Sequence, residues 1–416
     1  MPPDNSNKSL VQRLGNKILV SGACHLQYSE TLFSELHQAI FKAGYENIIL
    51  DMSNAQAFFA DIAVPLCAII RDYKSKGVEF ELIINPASTV GRTFLNSNWA
   101  HIIDERYLKS AYKGFQQHPA SIYREDNELV KSLNSILDCM LKSSAGLIRE
   151  DLAVLEWSLN EIMENSLRHS ESCTGGIVHL SKFDKNRNVI EIVVADAGQG
   201  IPKSLSTVEG YKHLRDHELL ELAIKEGVTN GKGMGNGLFG ASSTSVASGG
   251  RFTIRSKNAF LTTYLDSGRP TTLLGNKTIP LMGTAIIASY DYSSPRVLQN
   301  ALKIKGKVYT PIDYVEQYEG ECLIHLKNEV EHFSTRTAAE GLRAKLLSIY
   351  RLASIEHFVF DFQDVPTMSS SFADELLGKL KVTLGEKDFF NKAKFKNLSP
   401  INTTIVERAI NQRTSL

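Results

Sequence analysis

The chain has 416 residues, 43% of them apolar, so it can bury more than one core. Lys plus Arg and Asp plus Glu both number 46, a balance that gives no electrostatic sign of a nucleic-acid or membrane-surface partner. The five cysteines (Cys24, Cys67, Cys139, Cys173 and Cys322) are far apart and form no C-x-x-C, which excludes a disulfide framework or cysteine zinc site and fits a reducing compartment.

The first residues, MPPDNSNKSLVQRLGNK, are polar and lack the apolar stretch of a secretory signal. No apolar run is long enough to span a bilayer, so a cytoplasmic protein without a membrane partner is expected. Lys17–Ser21 predicts a strand, Tyr28–Lys42 a helix, and Asn47–Met52 a buried strand. Ile62–Lys76 predicts a helix stopped by Gly77, and Glu79–Asn85 a strand closed by Pro86. This alternation makes residues 1–124 a small α/β domain. A second unit, residues 125–294, opens with two long helices, Asn127–Ser144 and Asp151–Ser170. Strands at Gly176–Lys182 and Val189–Ala195 follow, then a glycine-rich stretch from Gly227 to Gly240 and a short helix to Ala247. Further strands are expected at Arg251–Ser256, Ala259–Asp266 and Thr284–Tyr290. The third unit, residues 295–416, repeats the order of the first. Its strands are Cys322–Leu326, His357–Phe362 and Lys394–Leu398, and its helices Thr335–Leu352, Ala373–Leu384 and Thr403–Asn411.

Four segments of the middle unit carry chemistry. Glu161 and Asn165 are four apart and project from one helical face. A carboxylate there can polarise a water or hydroxyl for attack on a γ-phosphate, and an Asn carbonyl can hold Mg²⁺. Arg168, on a neighbouring face, can reach a phosphate. Asp196 follows the strand VIEIVVA and can accept a hydrogen bond from an adenine amino group, with Gly198 and Gly200 turning the backbone beside it. Gly233, Gly235 and Gly237 open the helix LFGASSTSVA, where free amides and the helix N-terminus favour phosphate. Gly283-Thr284 opens a late strand, with a hydroxyl able to bond the base. Taken singly, these segments also read as a solvated helix face, a turn, a linker and a common dipeptide. Gly235 to Gly240 also spells G-x-G-x-x-G, but no strand precedes it, so a dinucleotide site is rejected.

In this order, NEIMENSLRHS, DAGQGI, GMGNGLFGASSTSVASGGRFTIRS and Gly283-Thr284 resemble the N, G1, G2 and late Gly-Thr boxes of the GHKL family. This is the Bergerat fold of gyrases, heat-shock chaperones, mismatch-repair ATPases and histidine kinases. The resemblance covers Glu125–Tyr292. It implies an α/β sandwich, a mixed sheet covered by helices, with ATP and Mg²⁺ as cofactors. Carried over, Glu161 is the general base, Asn165 binds Mg²⁺, Arg168 meets phosphate and Asp196 reads adenine. Gly198, Gly200, Gly233, Gly235, Gly237, Leu238 and Thr284 shape the nucleotide pocket, and residues 202–232 form a gating lid.

In the third unit, HFVFDFQDVPTMSSSFADELLGKL resembles a STAS-like, anti-sigma-antagonist domain, in which a GHKL kinase phosphorylates a serine at a helix start. Ser370 or Ser371 lies at that position, with Ser369 where the family has Asp and Phe372 where it has Gly. The three serines also read as a plain helix cap. NIILDMSNAQAFFADIAVPLCAII resembles a more diverged STAS-like domain without an acceptor serine, implying a binding or assembly role.

The expected function is that of a Mg-ATP-binding regulatory protein, an ATPase or serine-kinase-like partner switch whose protein partner docks on the STAS-like domains. The alternative is an ATP-driven conformational switch without phosphotransfer, as in chaperones or mismatch-repair proteins. The helices from Asn127 to Leu159 hold no histidine, so the usual cis phosphoacceptor of a sensor histidine kinase is excluded. A homodimer is expected by analogy alone.

Overall fold

The computed structural model describes residues 10–110, 118–143, 147–183, 188–230, 237–293, 318, 320–330, 332–352 and 355–413. They divide into two units, one of Met1–Ala111, Gln117–Leu133 and Trp157–Asp291, the other of Tyr112–Gln116, Asn134–Glu156 and Tyr292–Leu416.

The first unit starts with a hairpin of β1 (Val11–Leu14) and β2 (Lys17–Cys24), turning at Gly15. After α1 (Ser29–His37), β3 (Asn47–Phe58) joins β2 in parallel. After α2 (Ala60–Ser75), β4 (Glu79–Ile83) joins β3, again in parallel. The sheet order is β1-β2-β3-β4. Two short helices follow, α3 (Thr89–Asn96) and α4 (Trp99–Ile103). Ser88 caps α3 by accepting from the Gly91 amide at 2.9 Å.

Helix α2 explains how this sheet is joined to the next. Every residue from Ile62 to Tyr73 is buried. A helix apolar on all sides must be covered on all sides. One side of α2 packs on its own sheet and the other on a second, five-stranded sheet. That sheet has the order β5-β6-β7-β9-β8, from β5 (His118–Tyr123), β6 (Gly176–Phe183), β7 (Val189–Asp196), β8 (Arg251–Asp266) and β9 (Arg269–Asp291). The α/β class with helix-covered sheets holds. Within the second sheet every pairing is antiparallel, and mixed pairing is confined to the first. β8 and β9 meet at Ser267-Gly268, both with positive φ, the two-residue turn whose twist suits a tight hairpin. His118–Tyr123 lies in the stretch assigned to the first domain, yet it pairs with β6 at the edge of this sheet.

Strand alternation gives the second sheet two distinct faces. Ile177, Val193, Ala195, Leu281, Ala285 and Ile287 join one core with the N-terminal module. Each fully buried Ile, Val or Leu side chain there contributes about 1.5–3 kcal/mol. The intervening residues, Val178, Ile192, Val194, Asp196, Thr284 and Ile286, are buried on the other face. That face carries α6 (Arg149–Arg168), tied by the Tyr123 and Ser166 hydroxyls at 2.5 Å, and α9 (Gly237–Ala247), tied by Ser245 Oγ to the Ser289 carbonyl at 2.7 Å. Before α6 runs α5 (Asp126–Ser143), and between β7 and α9 lie α7 (Ile201–Leu205) and α8 (Asp216–Ala223).

The second unit has three parallel strands in chain order, β10 (Gly320–His325), β11 (Ile355–Asp361) and β12 (Ala393–Lys396). They are linked by α10 (Arg336–Leu352) and by α11, which begins at Ser370–Ala373, widens through a π turn at Asp374–Gly378 and ends with Lys379–Leu384. Helices α12 (Glu386–Lys392) and α13 (Pro400–Gln412) flank β12. A buried ionic knot joins α10 to α5: Lys345 Nζ meets Asp138 at 2.7 Å and Glu329 at 2.8 Å, and Lys142 meets Asp138 at 2.8 Å. Ser348 donates to the Leu141 carbonyl beside it at 3.1 Å.

Candidate functional site

The floor of the site is the end of β7. Asp196 pairs with Gly176 on one side and Thr284 on the other, and it is buried. Its Oδ1 accepts from the Gly198 amide at 2.8 Å. Burial pushes its carboxyl up to about 7, against the pull of backbone donors at Gly198 and Thr284. Among the described residues no cation pairs with it, and the carboxylate oxygens can accept a further donor.

Around it the chain is drawn tight. A Cβ on Gly198 would stand 2.0 Å from the Ser170 carbonyl oxygen, so only glycine lets this turn approach the end of α6. Gly200 has φ +81° and ψ 157°, a region that side chains do not tolerate, and it opens α7. Ser256, at the point where β8 meets Thr284, orders the floor. Its Oγ accepts from the Ile201 amide at 3.0 Å, donates to the Gly283 carbonyl at 2.8 Å and lies 3.0 Å from Thr284 Oγ1. Sequence reasoning did not single out Ser256. Its only signal is its place at the end of RFTIRS, one strand away from Gly283-Thr284.

The wall is α6. Glu161 and Asn165 stand one turn apart, both half-buried. Burial, then the charge of Glu164, holds the Glu161 carboxyl above its ordinary range. A Cβ on Gly237 would come within 2.3 Å of Glu161 Oε2, so the carboxylate rests on the first residue of α9, where helix amides favour negative charge. Arg168 is placed differently from its expected neighbours. It is exposed and held by carboxylates, Glu164 at 3.3 Å and Asp126 at 3.5 Å. Asp126 is far from Arg168 in sequence, which hid this pairing.

Between β7 and α9 the described part of the expected lid has a small core of its own. Leu205, Leu219 and Ala223 are packed by Ile201, Tyr211, Leu214, Val228 and Leu238. Leu238 therefore anchors α9 to the lid. The root of the lid is fixed by polar contacts: Gln199 N donates to the Ser170 carbonyl at 2.7 Å, and Gln199 Nε2 to the His169 carbonyl at 2.9 Å. Asn230 Nδ2 donates to Ser204 Oγ at 2.8 Å and lies 3.3 Å from His169 Nδ1. The structure thus sets Glu161 against Gly237, with Asn165 one turn along α6, and brings Asp196, Gly198, Gly200 and Thr284 together at the end of β7. Gly233 and Gly235 lie outside the described residues.

In the second unit, Ser369 is the N-cap of α11. Its Oγ accepts from the Phe372 amide at 3.0 Å, donates to the Ser334 carbonyl at 3.1 Å and lies 3.0 Å from Ser371 Oγ. Ser370 is exposed in the first turn, and its hydroxyl makes no hydrogen bond among the described residues.

Comparison with known proteins identifies two domains. The family model for histidine kinase-, DNA gyrase B- and HSP90-like ATPases matches residues 150–273. A model for a STAS-like domain of unknown function matches residues 338–403. No curated protein matches the chain. Among solved structures, one described as the crystal structure of ShkA full-length in complex with AMPPNP is 10% identical, with 86% of this chain and 70% of that chain covered at a TM-score of 0.20. Among the described residues no helix is long and apolar enough to cross a membrane. The chain therefore carries a GHKL-type, ATP-binding ATPase domain and, at its C-terminal end, a STAS-like domain.

Proposed function

We propose that the chain is a Mg-ATP-dependent regulatory protein that works as a partner switch. The observation that carries this is the buried Asp196 carboxyl at the end of β7, beside a turn that only glycine fits, together with the Glu161 carboxylate set against the first residue of α9. Asp196 accepts from the adenine amino group. The Asn165 amide oxygen suits a hard ion such as Mg²⁺, which supplies charge neutralisation at the phosphates when bound. Glu161 takes the proton of the attacking water or hydroxyl, and burial, then the charge of Glu164, holds its carboxyl above the ordinary range and so makes it a stronger base. The polar ties of Gln199 and Asn230 hold the root of a lid formed by residues 202–232.

If phosphate passes to a serine of this chain, Ser370 is the acceptor. Ser369 is committed to its cap, Ser371 is bonded to Ser369, and a phosphate on Ser370 would sit in the first turn of a helix, where negative charge is favoured. The N-terminal module shares three consecutive parallel strands with the second unit, which supports reading it as a second STAS-like module for partner binding or assembly.

One observation favours a second reading, an ATP-driven conformational switch. Ser256 faces the site, while its neighbour Arg255 is buried toward the N-terminal module. There it favours the ionised form of Asp61 and meets the Phe33 ring at 5.9 Å. Adjacent residues of one strand thus touch the nucleotide floor and the module.

ATP labelled at the γ-position, with wild type, Glu161→Ala and Asn165→Ala, tests the proposal. Label on Ser370 or on a partner serine supports the partner switch. Label released only to solvent supports the second reading. Wild-type turnover no faster than either variant would sink the catalytic assignment.

A further inference from the structure

Four of the five cysteines are buried, and Cys173 alone is exposed. It lies in the loop between α6 and β6, the same loop whose Ser170 carbonyl holds the Gly198 turn and the Gln199 amide. The loop is fixed by its own hydroxyls. Ser172 N donates to Ser170 Oγ at 3.0 Å, Ser172 Oγ donates to the Gly175 carbonyl at 3.1 Å, and Glu171 and Gly175 take positive φ.

Across from Cys173 stands one face of α2. Ser75 Oγ lies 3.8 Å from Cys173 Sγ. Arg71, one turn earlier on the same face, is 8% exposed, and neither Nη1 nor Nη2 has a hydrogen-bond partner. Leaving the donors of a buried guanidinium unmatched is costly, and such groups are rare in folded proteins. No carboxylate reaches ion-pair distance of Arg71 among the described residues. Glu128, whose charge acts on it, spends Oε2 on the Arg124 amide at 2.7 Å. Arg124 itself adds like charge, its side chain packed beside Gly175. A buried guanidinium with two donors unmatched among the described residues, set against a loop carrying an exposed thiol, lacks an anionic oxygen.

We propose that Cys173 is a site of reversible oxidation by hydroperoxides, and that the sulfenate oxygen is received by Arg71 and Ser75. The thiolate sulfur attacks one peroxide oxygen, the O–O bond breaks, and an S–O bond forms. The leaving hydroxide (alkoxide, for an organic hydroperoxide) takes the proton of the new sulfenic acid and departs as water or an alcohol, leaving the sulfenate. Sulfur is oxidised by two electrons and the peroxide reduced by two. One external thiol condenses with the sulfenic acid to a mixed disulfide and releases water, and a second external thiol displaces Cys173 from it, leaving as the external disulfide. The charge-assisted bonds from Arg71 favour the product and the negative oxygen that develops on the way to it.

The test is exposure of the full chain to dilute hydrogen peroxide, with trapping by a sulfenate-specific dione and peptide mass spectrometry. The expected result is a dione adduct on Cys173 and none on Cys24, Cys67, Cys139 or Cys322. Arg71→Met is expected to slow adduct formation by about tenfold, the factor given by loss of one charge-assisted hydrogen bond. Ser75→Ala, which leaves the guanidinium in place, is expected to slow it by a smaller factor and serves if Arg71→Met fails to fold. Adducts spread over several cysteines, or oxidation of Cys173 at the wild-type rate in a folded variant, would overturn the proposal. The readout is chemical and independent of nucleotide, so its failure leaves the ATP reading intact.

Discussion

Replacing Asp196 by Asn separates a binding carboxylate from a structural one, because the two effects have opposite signs. The fold raises the Asp196 carboxyl from 3.8 to about 7 through burial. The folded state thus prefers the protonated acid. The stability Asp196 contributes is fully present below pH 3.8 and is lost as pH rises to about 7. Each pH unit across that interval costs about 1.4 kcal/mol, so full ionisation costs at most about 4 kcal/mol, and relaxation of the cleft makes about 2–4 kcal/mol the expected loss. Asn keeps an oxygen for the Gly198 amide and never ionises. Urea unfolding without nucleotide should find the two proteins within about 0.5 kcal/mol at pH 4, and Asp196→Asn about 2–4 kcal/mol more stable at pH 8. Isothermal titration with Mg-ATP at pH 8 should show the reverse, with binding lost in the more stable protein. Parallel stability profiles from pH 4 to 8, or unchanged ATP affinity in Asp196→Asn, would refute the reasoning.

Glu161→Ala should leave ATP affinity nearly intact and lower turnover about 10²–10⁴-fold, the usual contribution of a general base, as read by phosphate release. Gly237→Ala should also lower turnover while the unfolding midpoint holds, because its Cβ would displace the flexible Glu161 carboxylate rather than backbone. Gly198→Ala, by contrast, meets the Ser170 carbonyl at 2.0 Å and should lower thermal stability and ATP affinity together. Lys345→Met removes the buried cation that bridges the half-buried Asp138 and Glu329, and chemical denaturation should show a loss on the order of 3 kcal/mol.

What could be read from the sequence was local. The N and G1 segments are contiguous, their spacing fixes a helix face or a strand end, and Glu161, Asn165, Asp196, Gly198 and Gly200 stand where that spacing implies. The strands from Lys17, Asn47 and His357 announce themselves as short β-branched or aromatic runs. Elements whose pattern comes from tertiary contact were silent. β1 is four residues with mixed burial, stabilised by pairing with β2. β5 is an edge strand containing Pro119, a residue that demotes a strand pattern. The first half of β9 shows no apolar alternation, and the Ser267-Gly268 turn that creates it lies in the sequence DSGR. Long-range partners were equally hidden. Nothing near Arg168 announces Asp126, and nothing near Thr284 announces Ser256. The apolar run of α2 was visible, but not that two sheets share it.

That shared helix sets where this protein can be divided. A fragment beginning at Glu125, the natural start by motif, would lose β5 from the edge of the second sheet and uncover Ile177, Val193, Ala195, Leu281, Ala285 and Ile287 on its far face. An apolar surface of that kind, beside a newly opened strand edge, invites aggregation. The N, G1 and G2 segments are therefore not a portable cassette in this chain. Any gene fusion, truncation or transplant that keeps them folded must carry the N-terminal module along, so the two are inherited as one piece.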